Sequence, residues 1–334
     1  MQSQSHNVGV IARNLIGFGV IAVIFFFLGR SLVSNWSDLT ADDINVQPAI
    51  LVASVLPAAA AIILIAFIWR QIVAYLAGPL QTNLGQLPKV FFYSWIGRYV
   101  PGKVAYVVGR FVLGRTAGVS GPVLVGSIVY ENVLLITTGA AFATLTLLPF
   151  LAIESESVLP YLALPFVAVG GAVVLHPRVL GLIVRLGARL LGRELPEDGW
   201  LLTPGRLAKL VALFLVVHLV NGAGFYLLVT SVTSYSPRYL PLAAGAFALA
   251  GIVGMVSVFA PAGIGVREGI LVAVLQTTMP IELAILVSLI ARVWATVIDL
   301  LLITGCFIYD QLSGERLLMN VLRGRGSEPN TLDP

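Results

Sequence analysis

The sequence predicts an all-helical polytopic integral membrane protein, on three observations. Of its 334 residues, 58% are hydrophobic and only 11% are charged, with a mean hydropathy of +0.96; a soluble globular domain carries roughly 25% charged residues. Apolar runs at 10–28, 49–69 and 207–229 have the length of about 20 residues needed to cross a hydrocarbon core about 30 Å thick. Strand-like alternation punctuated by regular turns is absent, which argues against a β-barrel and leaves helices to pair the backbone groups in lipid.

The elements follow in chain order. The first run, 10–29, carries Arg13 near its start, in the manner of a signal peptide. It is too long for a typical signal core and no A-x-A site follows, so it is read as a retained helix. An acidic segment with Asp38, Asp42 and Asp43 comes next, then a returning helix over 49–69 that ends at Trp69-Arg70. A polar connection carries Gly78-Pro79, Gly85 and Pro88.

The stretch 89–115, KVFFYSWIGRYVPGKVAYVVGRFVLGR, is apolar enough to enter the membrane yet holds Lys89, Arg98, Lys103, Arg110 and Arg115. Pro101-Gly102 divides it, because proline removes a donor and clashes with the preceding turn while glycine frees the backbone. Each part is too short to span, so the stretch predicts a re-entrant helical hairpin. Helices are expected over 122–150 and 158–175, the second ending at His176-Pro177-Arg178. A basic, partly amphipathic segment follows, then a helix over 207–230. The stretch 240–279 is interrupted at Pro261-Ala262-Gly263-Ile264-Gly265, with Arg267 and Glu268 just beyond, and the last helix covers 281–305. The reading is about six full helices plus two re-entrant hairpins, or seven to eight spans if the interrupted stretches cross.

Charge sets the orientation. Arg178, Arg185, Arg189, Arg193, Arg206 and Lys209 cluster between two apolar runs, and Arg316, Arg323 and Arg325 follow the last one. The links near Asp42 and Glu154 are acidic. Basic loops stay cytoplasmic, so both termini are expected inside a plasma (inner) membrane. The domain expectation is one transmembrane domain, 1–310, in halves 1–155 and 156–310, with a cytoplasmic tail at 311–334. Both halves read helix, helix, hairpin, helix, from opposite sides. That is the pattern of an inverted-topology repeat, in which broken segments at matching positions mark a substrate site.

Other chemistries find no support. Cys306 is the single cysteine and the three histidines are scattered, so neither a disulfide nor a metal centre is expected. The sequence has no G-x-x-x-x-G-K-[ST], no H-E-x-x-H and no nucleophile elbow, and A-G-I-G-V lacks the strand–helix setting of a dinucleotide site. No enzyme, cofactor or metal is expected. The basic clusters flank spans, which fits topology better than nucleic-acid binding.

The candidate site residues are charges within apolar segments, each costing roughly 2.5–3.5 kcal/mol at a helix centre unless it faces a partner or cavity. A half-helix starting at Pro101-Gly102-Lys103 would turn its positive amide end toward the break, where Lys103 is unfavourable unless an anion binds. Lys103, Tyr106 and Arg110 share one helical face, and a lipid phosphate would suit it. Snorkelling of both cations to headgroups is the competing reading. At the second break, Pro261, Gly263, Gly265 and Arg267 hold the corresponding place, with Glu268 suited to the first helical turn. Arg292 and Asp299 lie seven residues apart on the last helix, placed to pair with Glu268 and Arg267 or with each other through a water. Glu131 needs a partner, for which Arg98 or Arg292 is expected. Glu131, Glu268, Arg292 and Asp299 are thus ion-pairing or proton-coupling candidates, while interhelical hydrogen bonds account for His218 and Asn221.

The run GRYVPGKVAYVVGR, the following R-T-A-G-V-S and Glu131, together with P-A-G-I-G-V-R-E-G, resemble the lysylphosphatidylglycerol synthase transmembrane (flippase-like) family over about 10–310. The resemblance implies an all-helical membrane domain with re-entrant segments that moves lipids across the bilayer. It carries over to Pro101, Gly102, Lys103, Glu131, Pro261, Gly263, Gly265, Arg267 and Glu268. Lipid-aminoacylating members continue into a large soluble transferase domain, whereas this sequence stops soon after its last predicted helix. The expectation is therefore translocation without lipid aminoacylation. The expected partners are membrane lipids with anionic or phosphate headgroups, with a homo-oligomer or a partner lipid or glycan enzyme as further associations. Two alternatives stand beside this: a polyprenyl-phosphate-sugar-dependent glycosyltransferase using Asp42 and Asp43, and a non-catalytic partner subunit.

Overall fold

A computed structural model describes residues 45–77, 84–99, 104–154, 163–190, 202–257, 260 and 263–313. The predicted helix over 10–29, the acids Asp42 and Asp43, and the break residues Pro101, Gly102, Lys103 and Pro261 lie outside these residues.

All regular structure among the described residues is helical. In order, the helices are α1 (Pro48–Ala77), α2 (Leu87–Trp95), α3 (Val104–Thr116), α4 (Gly121–Glu154), α5 (Ala163–Leu175), α6 (Pro177–Leu190), α7 (Pro204–Thr230), α8 (Leu240–Val256), α9 (Val266–Leu275) and α10 (Ile281–Leu312). Short 3-10 turns extend α2 over Ile96–Tyr99 and precede α8 over Pro237–Tyr239. Proline starts several helices where its missing N–H costs nothing: Pro48, Pro204 and Pro241 lie in first turns.

Five runs are long and apolar enough to cross a membrane: α1, Gly121–Phe150 of α4, α7, Pro237–Val256 and α10. Helices α5 and α6 form a sixth if taken as one span, bent by 69° at the His176-Pro177 step. The predicted helices at 49–69, 122–150, 207–230 and 281–305 correspond to α1, α4, α7 and α10, each longer in the structure. Helix α1 runs on through Arg70 and Gln71, and α10 through Asp310 and Gln311.

The centre is an antiparallel pair, α1 and α7, which share the most extensive interface among the described helices. The start of α1 meets the end of α7, where Asn45 and Gln47 donate backbone N–H groups to Val232 and Ser231 at 2.9 and 2.7 Å. Small residues let the two backbones approach: a Cβ on Gly224 would lie 3.1 Å from the Ala58 nitrogen. The core divides at the two ends of this pair. One cluster joins the C-terminal half of α1 (Ile65, Trp69, Val73), α2 (Leu87, Phe91) and the N-terminal half of α7 (Leu210, Phe214). The other joins the far end of α7 (Phe225, Leu228) to α8, α9 and α10 through Phe247, Leu271, Leu275 and Ile298. The broken segments α2–α3 and α8–α9 thus pack at opposite ends of the α1–α7 pair.

Each broken segment is pinched by glycine beside its break. A Cβ on Gly97 would fall 2.4 Å from the Tyr106 nitrogen, so the turn after α2 lies against the start of α3. In the second segment, Gly263 has φ +71° and a Cβ there would fall 2.8 Å from Gly254 Cα. Only glycine allows both that backbone angle and that approach.

Candidate functional site

The turn Trp95–Tyr99 and the start of α9 converge on the middle of α10. Asp299 of α10 is 1% exposed and takes three partners from the first segment. Trp95 Nε1 donates to Oδ1 at 2.9 Å, the Tyr99 hydroxyl donates to Oδ2 at 2.5 Å, and Arg98 Nη2 lies 3.0 Å from Oδ2. These donors sit at i, i+3 and i+4, one face of a single turn. Seven residues earlier on α10, Arg292 lies 4.0 Å from Glu268 Oε1 of α9 and its guanidinium stands 5.8 Å from the Tyr99 ring. Glu268 also accepts the Gly265 N–H through Oε2 at 2.6 Å, closing the first turn of α9. Gly265 reaches this position with φ +85°, outside the range that other residues adopt readily.

Arg267, next to Glu268, is half-buried. Its guanidinium lies over the Phe247 ring at 4.3 Å, and it forms no ion pair among the described residues. Three guanidiniums therefore share two carboxylates in one cluster, which leaves a positive charge in excess among the described residues. The cluster also lies near the middle of α10. Helix α10 has 32 residues, about 48 Å at 1.5 Å per residue, and Arg292 and Asp299 fall within ~7 Å of its midpoint.

Tyr106, Arg110 and Glu131 form a separate centre. Arg110 is wholly buried, donates from Nη1 to Glu131 Oε2, and reaches the Ser94 hydroxyl from Nε at 3.3 Å. The Tyr106 hydroxyl lies 3.4 Å from the other Glu131 oxygen. The rings of Trp69, Phe91 and Tyr106 stand 4.5–4.6 Å from the guanidinium. Nη2 of Arg110 has no hydrogen-bond partner among the described residues.

This arrangement corrects two expected pairings. Glu131 pairs with Arg110, not with Arg98 or Arg292, because α3 packs against α4. Asp299 pairs with Arg98 rather than Arg267. The expected Arg292–Glu268 pairing is present. Arg110 does not snorkel; it faces inward, with its charge met by Glu131 and the aromatic faces. His218 bonds Thr138 of α4 at 3.1 Å, an interhelical contact of the expected kind.

A fourth ion pair, also buried, was not foreseen. Lys89 at the start of α2 donates to Asp310 Oδ1 at 2.9 Å and to the Ser313 hydroxyl at 3.0 Å, while Tyr93 donates to Asp310 Oδ2 at 2.9 Å. The acid is 221 residues from its lysine, and no local spacing pairs them. The spacing of Trp95, Arg98 and Tyr99, by contrast, was a readable signal of one polar face. Among the described residues no group of three or more His, Cys, Asp or Glu side chains is placed to hold a metal ion.

The family of the lysylphosphatidylglycerol synthase TM region matches residues 14–303. The chain belongs to this family. The match spans α1 through most of α10 and includes both broken segments and the arginine cluster. Membership supports a lipid-related function in a membrane. No curated protein matches the chain.

Proposed function

We propose that the protein is a lipid translocator, which carries an anionic or phosphate-bearing headgroup past the arginine cluster while the tails remain in the bilayer. The observation that carries this reading is the set of three guanidiniums, Arg98, Arg267 and Arg292, against two carboxylates, Glu268 and Asp299, among the described residues at the middle of α10. Unmatched charge in hydrocarbon is expensive, and a phosphate would supply the missing counter-charge. Arginine suits the task, because its planar donors grip phosphate in pairs and hold less water than an ammonium group.

The scaffold reading follows from the packing. We take α2–α3 and α8–α9 as re-entrant hairpins that enter from opposite faces, in halves related by inverted topology. Support comes from their places at opposite ends of the antiparallel α1–α7 pair and from the glycine pinch beside each break. It also comes from a matched contact scheme, in which α4 packs on α8 and α10 packs on α2. Each hairpin's second arm is ion-paired to the next helix with reversed polarity, Arg110 to Glu131 and Glu268 to Arg292. Pro101, Gly102 and Lys103 would add to the first tip. In this reading the protein is not an enzyme, the membrane is the plasma (inner) membrane, and both termini are cytoplasmic.

The test uses proteoliposomes containing fluorescent phosphatidylglycerol, with an impermeant quencher reading its transfer between leaflets. Losing a charge-assisted contact of roughly 1.5–3 kcal/mol makes Arg267→Gln about ten- to a hundredfold slower than the parent chain. An equal rate for a folded Arg267→Gln protein would sink the reading.

A further inference from the structure

The seam between α2 and α10 is fastened at two heights and open between them. At the inner height, Trp95, Arg98 and Tyr99 hold Asp299. At the outer height, Lys89 and Tyr93 hold Asp310. Between these clamps lies a groove of about 320 Å³ lined by Tyr93, Ile96, Ile303, Thr304 and Phe307. Its wall is apolar and faces outward, with Ile96 54% and Phe307 41% exposed. The eleven helical steps from Asp299 to Asp310 rise about 16 Å along α10, close to half of a hydrocarbon core about 30 Å thick. The clamps therefore stand about one leaflet's depth apart, and the groove's own lining on α10, Ile303 to Phe307, covers about 6 Å of that distance. Its inner end lies next to the Arg98–Asp299 clamp, since Ile303 is one helical turn from Asp299 and Ile96 is two residues from Arg98.

We infer that this groove is a binding site for one hydrocarbon chain of the translocated lipid, and that the α2–α10 seam is its sideways entrance from the leaflet at the α10 C-terminus. The inference rests on the translocator reading for the identity of the lipid. The groove itself is a matter of geometry: apolar walls along its length, a polar clamp beyond each end, and Arg98 of the cationic cluster in the inner clamp for the phosphate. A chain lying in it leads its headgroup along the clamped seam rather than through bare hydrocarbon.

The experiment is photolabelling of the full chain in phosphatidylcholine nanodiscs with a small fraction of phosphatidylglycerol carrying a diazirine in one acyl chain. The expected result is label several-fold denser on the peptides with Tyr93–Ile96 and Ile303–Phe307 than on the exposed Val52 and Leu56 of α1. Ile303→Trp should lower the groove label several-fold, whereas Val52→Trp should not. Even label over all lipid-facing peptides of the parent chain overturns the site, whether or not Ile303→Trp folds. Equal groove label from a phosphatidylcholine probe overturns its assignment to the translocated lipid. Failure of the translocator reading is separate: it shows as unchanged transport by Arg267→Gln, whatever the labelling pattern.

Discussion

Arg110 donates to Glu131 inside a shell formed by Trp69, Phe91 and Tyr106, and the exposure of the two side chains is 0% and 3%. The pair joins the returning arm of the first broken segment to the long helix that follows it. Removing one partner strands the other in a dry core. Arg110→Met is expected to cost about 3–5 kcal/mol, while Arg110→Met with Glu131→Leu recovers most of that loss. Thermal unfolding in detergent of the two single variants and the double variant checks this. Equal loss in the single and double variants would contradict a structural pair.

The glycine pinches predict position-specific sensitivity. Gly97→Ala places a methyl 2.4 Å from the Tyr106 nitrogen, and Gly263→Ala adds a strained φ of +71° to a 2.8 Å clash. Backbone is the obstacle in both cases, so each should lose about 1–3 kcal/mol or more. Gly170→Ala on α5 meets nothing within 4 Å and should be neutral or mildly stabilising, since alanine is the better helix former. Melting temperatures of the three variants decide it.

Asp299 restrains Arg98 by compensating its charge. Asp299→Asn should leave the first turn held more loosely and the cluster more positive. The expected outcome is lower thermal stability together with tighter retention of phosphatidylglycerol through purification. Quantifying lipid extracted from the parent and variant proteins tests the combination. Loss of both stability and lipid would remove the compensating role.

The outer clamp predicts a change in Cys306, the chain's one cysteine. It is partly buried on α10 between Asp299 and Asp310 and packs against the core that includes α2. Lys89→Met should loosen this end of α10 and raise the rate of Cys306 labelling by a membrane-permeant maleimide several-fold. An unchanged rate would mean that apolar packing alone holds the seam.

Much of the fold was legible because bilayers impose length and proline imposes breaks. Pro101-Gly102 and Pro261 through Gly265 marked the two interruptions, and Gly263 and Gly265 show their physical reason in positive φ values. The charged residues were legible as a set, since charge inside an apolar run is rare enough to mark a site. Their pairings were legible only in part. Arg292 with Glu268 was among the expected pairs, but Glu131 with Arg110 and Lys89 with Asp310 depend on how folded arms lie against distant helices. Hydropathy carries no record of that. Trp95 and Tyr99 were passed over because aromatic residues are unremarkable in a membrane segment until their polar atoms find an acid.

The placement of Arg292 and Asp299 on α10 has a mechanical consequence. Two turns of one continuous helix cannot slip past each other, so an axial roll of α10 carries both side chains through the same angle. A roll that draws Asp299 from Arg98 must also move Arg292 against Glu268. The two broken segments are geared to a single shaft, and neither tip can be released without retiming the other.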